Sequence, residues 1–263
     1  MGDEIQPMRR RQMTRNDLRR RGEAVRTELG LGRKGEAEPL PGFDDFMAEV
    51  AFGGIWDRPH LARPDRMICA LAALGLGGHL VPLEAHVASA LDLGLSARTI
   101  LEVFMQAGLY GGFVTTETAA RTAQKVFAAR GVRVEPDGPR DDSNETLDAR
   151  GRAVMAKLHG ERAGQGYAAP GNPVTGALYP SAIRYGYGEL WDRPGLDHRQ
   201  RMLIAIASFT ALGLEGQLKK FGTSALNIGL SREEVIEAVI QTGPYSGFPR
   251  ALNGLGLLSD ALS

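Results

Sequence analysis

Reactive side chains are sparse in this chain, and their spacing narrows the chemistry open to it. Five histidines and a single cysteine, Cys69, stand among 263 residues. One thiol excludes an intramolecular disulfide and any metal site built on several cysteines. No His-Glu-x-x-His pattern occurs, and no set of His, Asp and Glu falls at ligand spacing, so no metal is indicated. Gly75, Gly77 and Gly78 follow a helical stretch, whereas a dinucleotide fingerprint needs a strand before it. A Gly-x-Ser-x-Gly elbow is missing as well. Met8, Met13, Met67, Met105 and Met202 read as packing residues. What remains is proton and charge chemistry.

Several residues suit such chemistry. His79 lies seven residues before His86. The two share a helix face only if the helix begins that early, and Pro82 between them opposes this. Glu84 stands two residues from His86, a separation that turns it about 200° away on a helix and into solvent or an interface. Glu102, Gln106 and Tyr110 recur every fourth residue and share one face. Arg66 either holds a substrate carboxylate in bidentate fashion or caps a buried network.

These residues sit in a sequence that is said twice. Trp56-Asp57-Arg58-Pro59 lies over Trp191-Asp192-Arg193-Pro194, Arg66-Met67 over Arg201-Met202, and Gly94-Leu95-Ser96 over Gly229-Leu230-Ser231. Glu102, Gln106, Tyr110 and Phe113 lie over Glu237, Gln241, Tyr245 and Phe248 without a gap. The register is that of a duplication, with residues 1–135 and 136–263 as two helical domains that pack as pseudo-symmetric partners. Presence in both copies favours a structural or interface role for the Glu-Gln-Tyr face.

The apolar spacing is helical in each copy, and no stretch shows sustained period-two alternation, so the fold class is all-α. Charged helices are expected over about Asn16–Leu29 and Asn144–Leu158, matched at Gly22 and Gly151. Arg66–Leu76 is apolar on nearly every side and belongs in the centre of the core. A helix over Pro82–Leu93 follows, and Ser96 and Ser231 stand at N-cap positions, the latter with Glu234 in a capping box. The last helix of the first copy begins near Thr115 and Thr116 and ends around Ala129. Trp56 follows Gly22 by 34 residues and Trp191 follows Gly151 by 40, so the second copy carries an insertion. It is the Gly/Pro-rich stretch Gly160–Pro180, either a lid, a subunit contact or surface filler. Val132–Asp142 reads as the linker.

Lysine plus arginine equals aspartate plus glutamate, so net charge offers nothing to nucleic acid or an anionic membrane. Arg9, Arg10, Arg11, Arg15, Arg19, Arg20 and Arg21 make the N-terminus locally basic, as a solvated arm or helix face, or else as a contact to a polyanion or neighbouring subunit. No apolar run follows them and none reaches membrane-spanning length, so the cytoplasm is the expected location.

The Trp-x-Arg-Pro-Gly-Leu turn, the following Arg with its alanine-rich helix, the His-bearing helix ending in Gly, the Ser-capped helix with Glu and Gln, and the closing Tyr-x-Gly resemble the carboxymuconolactone decarboxylase family, which is related to the alkylhydroperoxidase D proteins. The resemblance covers essentially the whole chain, twice. It implies an all-α fold, no cofactor, and ring-shaped homo-oligomers, here a trimer of tandem chains. The alkylhydroperoxidase branch works through a Cys-x-x-Cys pair that this chain lacks, and disulfide chemistry needs both an attacking and a resolving sulfur. The decarboxylase branch needs none.

By the resemblance, the family histidine falls on His86 in the first copy and on Phe221 in the second. Pro82 and Gln217 stand where the decarboxylases commonly carry Glu. A phenyl ring accepted at 221 says that this place faces an interior or a pocket, and His86 should too. An imidazole there with a pKa near neutrality both takes and gives a proton. Glu117, where the family usually has Asn and the second copy has Leu252, either complements a helix N-terminus or orients His86. The expected enzyme is a carbon–carbon lyase acting on a small carboxylated or enolisable substrate, with His86, Glu117 and Tyr110 catalytic and Arg66, His79 and Phe113 binding substrate. The second copy is then a structural one whose insertion closes the site. The alternatives are an isomerase, cyclase or dehydratase on the same scaffold, or a non-catalytic assembly or ligand-binding protein.

Overall fold

The computed structural model describes residues 13–32, 37–137, 140–165, 173–259 and 261–262, and no strand occurs among them. The chain divides into two compact units, Met1–Arg58 and Pro59–Ser263.

In the first unit, α1 (Arg15–Glu28) is opened by Thr14 and Asp17, which form a reciprocal capping box. α2 (Phe43–Met47) runs into a π-helical stretch, Ala48–Trp56. The two arms cross backbone to backbone. A Cβ on Gly22 would lie 1.8 Å from the Ala48 carbonyl oxygen, and one on Gly53 would lie 2.2 Å from that of Leu18. Only glycine permits this approach. The basic stretch is answered inside the unit: Arg15 and Arg19 reach Glu49 at 2.8 and 2.6 Å, and Arg21 reaches Asp57. The described arginines are therefore neutralised rather than presented as a free arm. Met8, Arg9, Arg10 and Arg11 lie outside the described residues.

The second unit holds α3 (Arg63–Leu76), α4 (Leu80–Asp92), α5 (Ala97–Gly111), α6 (Phe113–Ala129) and α7 (Asn144–His159). A 3-10 turn, Gly160–Gly164, follows, and then α8 (Tyr179–Ser181), which continues as π-helical Ala182–Glu189. The chain closes with α9 (His198–Leu212), α10 (Glu215–Asn227), α11 (Arg232–Gln241), α12 (Gly243–Ser246) and α13 (Phe248–Ser259). α7 and the second π-helical stretch repeat the crossing of the first unit. A Cβ on Gly151 would meet the Ile183 carbonyl oxygen at 2.3 Å, and one on Gly188 that of Leu147 at 2.1 Å. Pro244 stands where α5 has Leu109, and there the second copy breaks into α11 and α12 because proline removes a helical donor.

α3 and α9 are the centre of the core, buried at every residue over 65–75 and 201–211. Ser96 and Ser231 cap α5 and α11 as expected, with the Ser231–Glu234 box complete. Across α3 and α9 the copies exchange the same contact twice. The Arg66 guanidinium donates to Glu237 at 2.8 Å and Gln241 at 3.1 Å, while that of Arg201 donates to Glu102 at 3.3 Å and Gln106 at 2.9 Å. All six side chains are buried. Repetition divides the sequence at its middle, but packing places the bodies of both copies in one unit.

Candidate active site

His86 lies on the inner side of α4, 7 % exposed. A helical side chain points back over the preceding turn, and here the ring meets the Pro82 carbonyl oxygen with Nδ1 at 2.7 Å. A carbonyl only accepts, so Nδ1 carries the proton and Nε2 keeps its lone pair. That lone pair accepts from the Tyr245 hydroxyl at 3.2 Å, with the rings edge to face. Burial pushes the imidazole down to about 4. The ring is thus neutral at pH 7, in place of the near-neutral pKa expected from sequence, because no carboxylate offsets its desolvation. Tyr245 also lines a cleft of about 290 Å³ with His79, Ser246 and Arg250.

The other expected site residues fall elsewhere. Glu117 is exposed on α6 and bound by Arg121 at 3.0 Å, and both nitrogens of His86 are already taken by Pro82 and Tyr245, so it does not orient that ring. Arg66 is fully buried and spent on Glu237, Gln241 and the carbonyls of Leu61 and Pro59, which rules it out as a substrate anchor. Phe113 is exposed at the start of α6. His79 is exposed beside Gly77 at the head of α4, on the wall of the cleft that Tyr245 shares. Glu84 is exposed as expected. Cys69 is sealed in α3, its thiol raised by burial.

Tyr110 does not approach His86. It receives a hydrogen bond from the Gln106 amide at 2.9 Å and packs on Phe209 and Phe221 of the second copy. The tyrosines are exchanged between copies: each sits against the other copy's α4 or α10, at residue 86 or 221. Around Phe221 lies the larger cavity, about 460 Å³, walled by Tyr110, Phe209, Phe221, Trp191, Tyr187 and the insertion. From the insertion, Val174, Thr175, Leu178 and Tyr179 form one side, so this part of the segment is a wall of the cavity. Residues 166–172 of it lie outside the described residues.

The sequence profile of the carboxymuconolactone decarboxylase family matches residues 41–125 and 177–260. The chain belongs to this family. Among characterised proteins it is similar to the 4-carboxymuconolactone decarboxylase of Acinetobacter baylyi, 36 % identical over 66 residues, which is 25 % of this chain and 49 % of that protein. It is also similar to the nitrosuccinic acid decarboxylase of Metarhizium robertsii, 24 % identical over 119 residues, 45 % of this chain and 83 % of that one. An uncharacterised protein of Paracoccus denitrificans is 32 % identical over 65 residues, 24 % of this chain and 48 % of that protein. The match spans about half the length of the first and third relatives.

Within this carboxymuconolactone decarboxylase-family chain, no helix is long and apolar enough to cross a membrane, and no metal-ligating cluster of three occurs among the described residues. Sequence reasoning missed Tyr245 as the partner of His86, although the repeated tyrosine was the signal: a duplicated residue that looks across to the other copy. It missed His159, Tyr187 and Lys220 entirely. Tyr187 overlies Phe52 of the first copy, so a hydroxyl gained in one half was the mark to follow.

Proposed function

We propose that the chain is a cofactor-independent lyase of decarboxylase type, acting on a small carboxylated or enolisable substrate at the His86–Tyr245 pair. The observation that carries this reading is the defined tautomer: an inward imidazole with its proton fixed on Nδ1 and its Nε2 lone pair on a phenol that borders a cleft. Without an added electron sink, the substrate itself must accept the electron pair of the breaking carbon–carboxylate bond, as a β-keto acid, a vinylogous acid or an unsaturated lactone does. The protein then supplies a proton to the resulting carbanion.

A carboxylate brought beside the ring offsets the desolvation that holds its proton affinity down. The imidazole takes up a proton along with the substrate and returns it from Nε2 to the carbon that has lost carbon dioxide. Tyr245 holds that nitrogen in the resting state and donates to the developing enolate oxygen when the ring is charged. An isomerase reading needs the same pair, and the absence of a Glu at residue 82 favours keeping it. The test is to supply β-keto and vinylogous carboxylates, following carbon dioxide release and product mass. His86→Gln should lower kcat by about a hundredfold or more, and turnover equal to wild type would remove the assignment. Product without the loss of forty-four mass units would select isomerisation. A trimer of tandem chains is the assembly that goes with this reading, checked by mass in solution.

A further inference from the structure

The cavity around Phe221 has no imidazole from α10, yet at about 460 Å³ it is larger than the cleft of about 290 Å³ that Tyr245 borders, and the polar groups around it follow a pattern. His159, at the end of α7, stands on the Phe221 ring with centroids 4.9 Å apart. The Ser224 hydroxyl donates to the Lys220 carbonyl at 2.9 Å, so its oxygen accepts from Arg162 at 3.0 Å and from His159 Nδ1 at 2.8 Å. His159 Nε2 then accepts the Tyr187 hydroxyl proton at 3.0 Å. Tyr187 is committed to that bond and Tyr179 to the Met155 sulfur, while Thr175 and Gln217 also have partners.

Two donors in the wall are uncommitted, the Tyr110 O–H and the Lys220 ammonium. Tyr110 accepts from Gln106 but its own O–H has no partner among the described residues. The Trp191 indole N–H is sealed behind this wall on the Tyr110 oxygen and is closed to an occupant. The Lys220 ammonium has no acidic partner among the described residues, and burial together with Arg162 lowers its pKa. A buried donor left unmade costs stability, and a wall that offers donors only asks its occupant for acceptors. The remaining surface is aromatic and aliphatic and suits a flat apolar body.

We infer that the second copy carries its own ligand site, independent of His86, for a small aromatic carboxylate. The ring lies between Phe209, Phe221 and the described part of the insertion, and the carboxylate takes the Tyr110 O–H with Lys220 as counter-charge. The described part of the insertion, through Leu178, is the side by which the ligand enters and is covered.

Calorimetric titration of the intact protein with 1-naphthoate, and with 1-naphthylmethanol as the uncharged analogue, tests this. One naphthoate per chain is expected. Lys220→Met should weaken naphthoate at least tenfold while leaving naphthylmethanol unchanged. Leu178→Trp, at a position 75 % exposed and so harmless to folding, should fill the cavity and abolish both. His86→Gln should change neither. The site is overturned by absence of naphthoate binding to wild type or by binding that survives Leu178→Trp. Equal loss of both probes in Lys220→Met overturns the assignment of the charge. Loss of naphthoate in His86→Gln would move the ligand to the other cleft. None of these readings depends on whether carbon dioxide is released at His86.

Discussion

At the scale of the residue, the imidazole of His86 combines burial with a fixed tautomer, and its pH behaviour follows from that. With a free-enzyme pKa near 4, a reaction that needs the charged ring loses kcat/KM about tenfold for each pH unit above that value, because kcat/KM reports the free enzyme. The kcat profile should break at higher pH, since the bound carboxylate raises the ring. A flat kcat/KM between pH 5 and 8 would exclude substrate-linked protonation. Tyr245→Phe should lower kcat more than it raises KM, because the phenol acts on charge that develops after binding. The identity of this partner was legible only as a repeated tyrosine, with nothing in the sequence to say that each copy's tyrosine serves the other. His86 and Tyr245 lie 159 residues apart, and from sequence Tyr110, nearer in the chain and equally repeated, was the natural choice. Arg66 was legible only as two alternatives, of which the buried network is the one found.

At the scale of the element, most of the fold was readable because its signals are local. Caps and apolar faces each act within a few residues, and the duplication states them twice. The glycines at the helix crossing meet a segment distant in the chain, so from sequence they showed only as a match between copies; Gly151→Ala drives a methyl group onto the Ile183 carbonyl. We expect a loss of about 2 kcal/mol in urea denaturation, in line with other overpacked sites. Loss of the Ser231 cap in Ser231→Ala should cost about 1 kcal/mol. The insertion was legible as an insertion, but its role as a cavity wall was not. Its effect depends on α10 and α9 lying behind it, and no local pattern in Gly160–Pro180 encodes those neighbours.

At the scale of the whole molecule, burial of titratable groups sets the response to acid. His86 and His159 are held down to about 4 and about 3 in the folded chain, against an unfolded value near 6.5. The unfolded chain therefore binds more protons between these values, and stability present above pH 6.5 is lost as pH falls through the folded pKa values. The loss should be on the order of 3 kcal/mol for each ring, visible as a falling urea midpoint between pH 7 and 4. A midpoint independent of pH in that window would show that the rings are not desolvated. The crossed network is the other molecular-scale commitment: Glu237→Gln leaves the Arg66 charge buried without its counter-charge, with an expected cost of about 3 kcal/mol or more. That network was written into the sequence as two matched triplets, yet nothing there said that each arginine is served by the opposite copy. A single-copy chain with this arginine, glutamate and glutamine would satisfy them by pairing with a twin, and every substitution near the imidazole would then appear on both sides of the pair. Joining the copies end to end keeps the mutual grip but frees the two halves to differ, so that one carries an imidazole at residue 86 where its neighbour has the phenyl ring of Phe221 as the floor of a wider chamber.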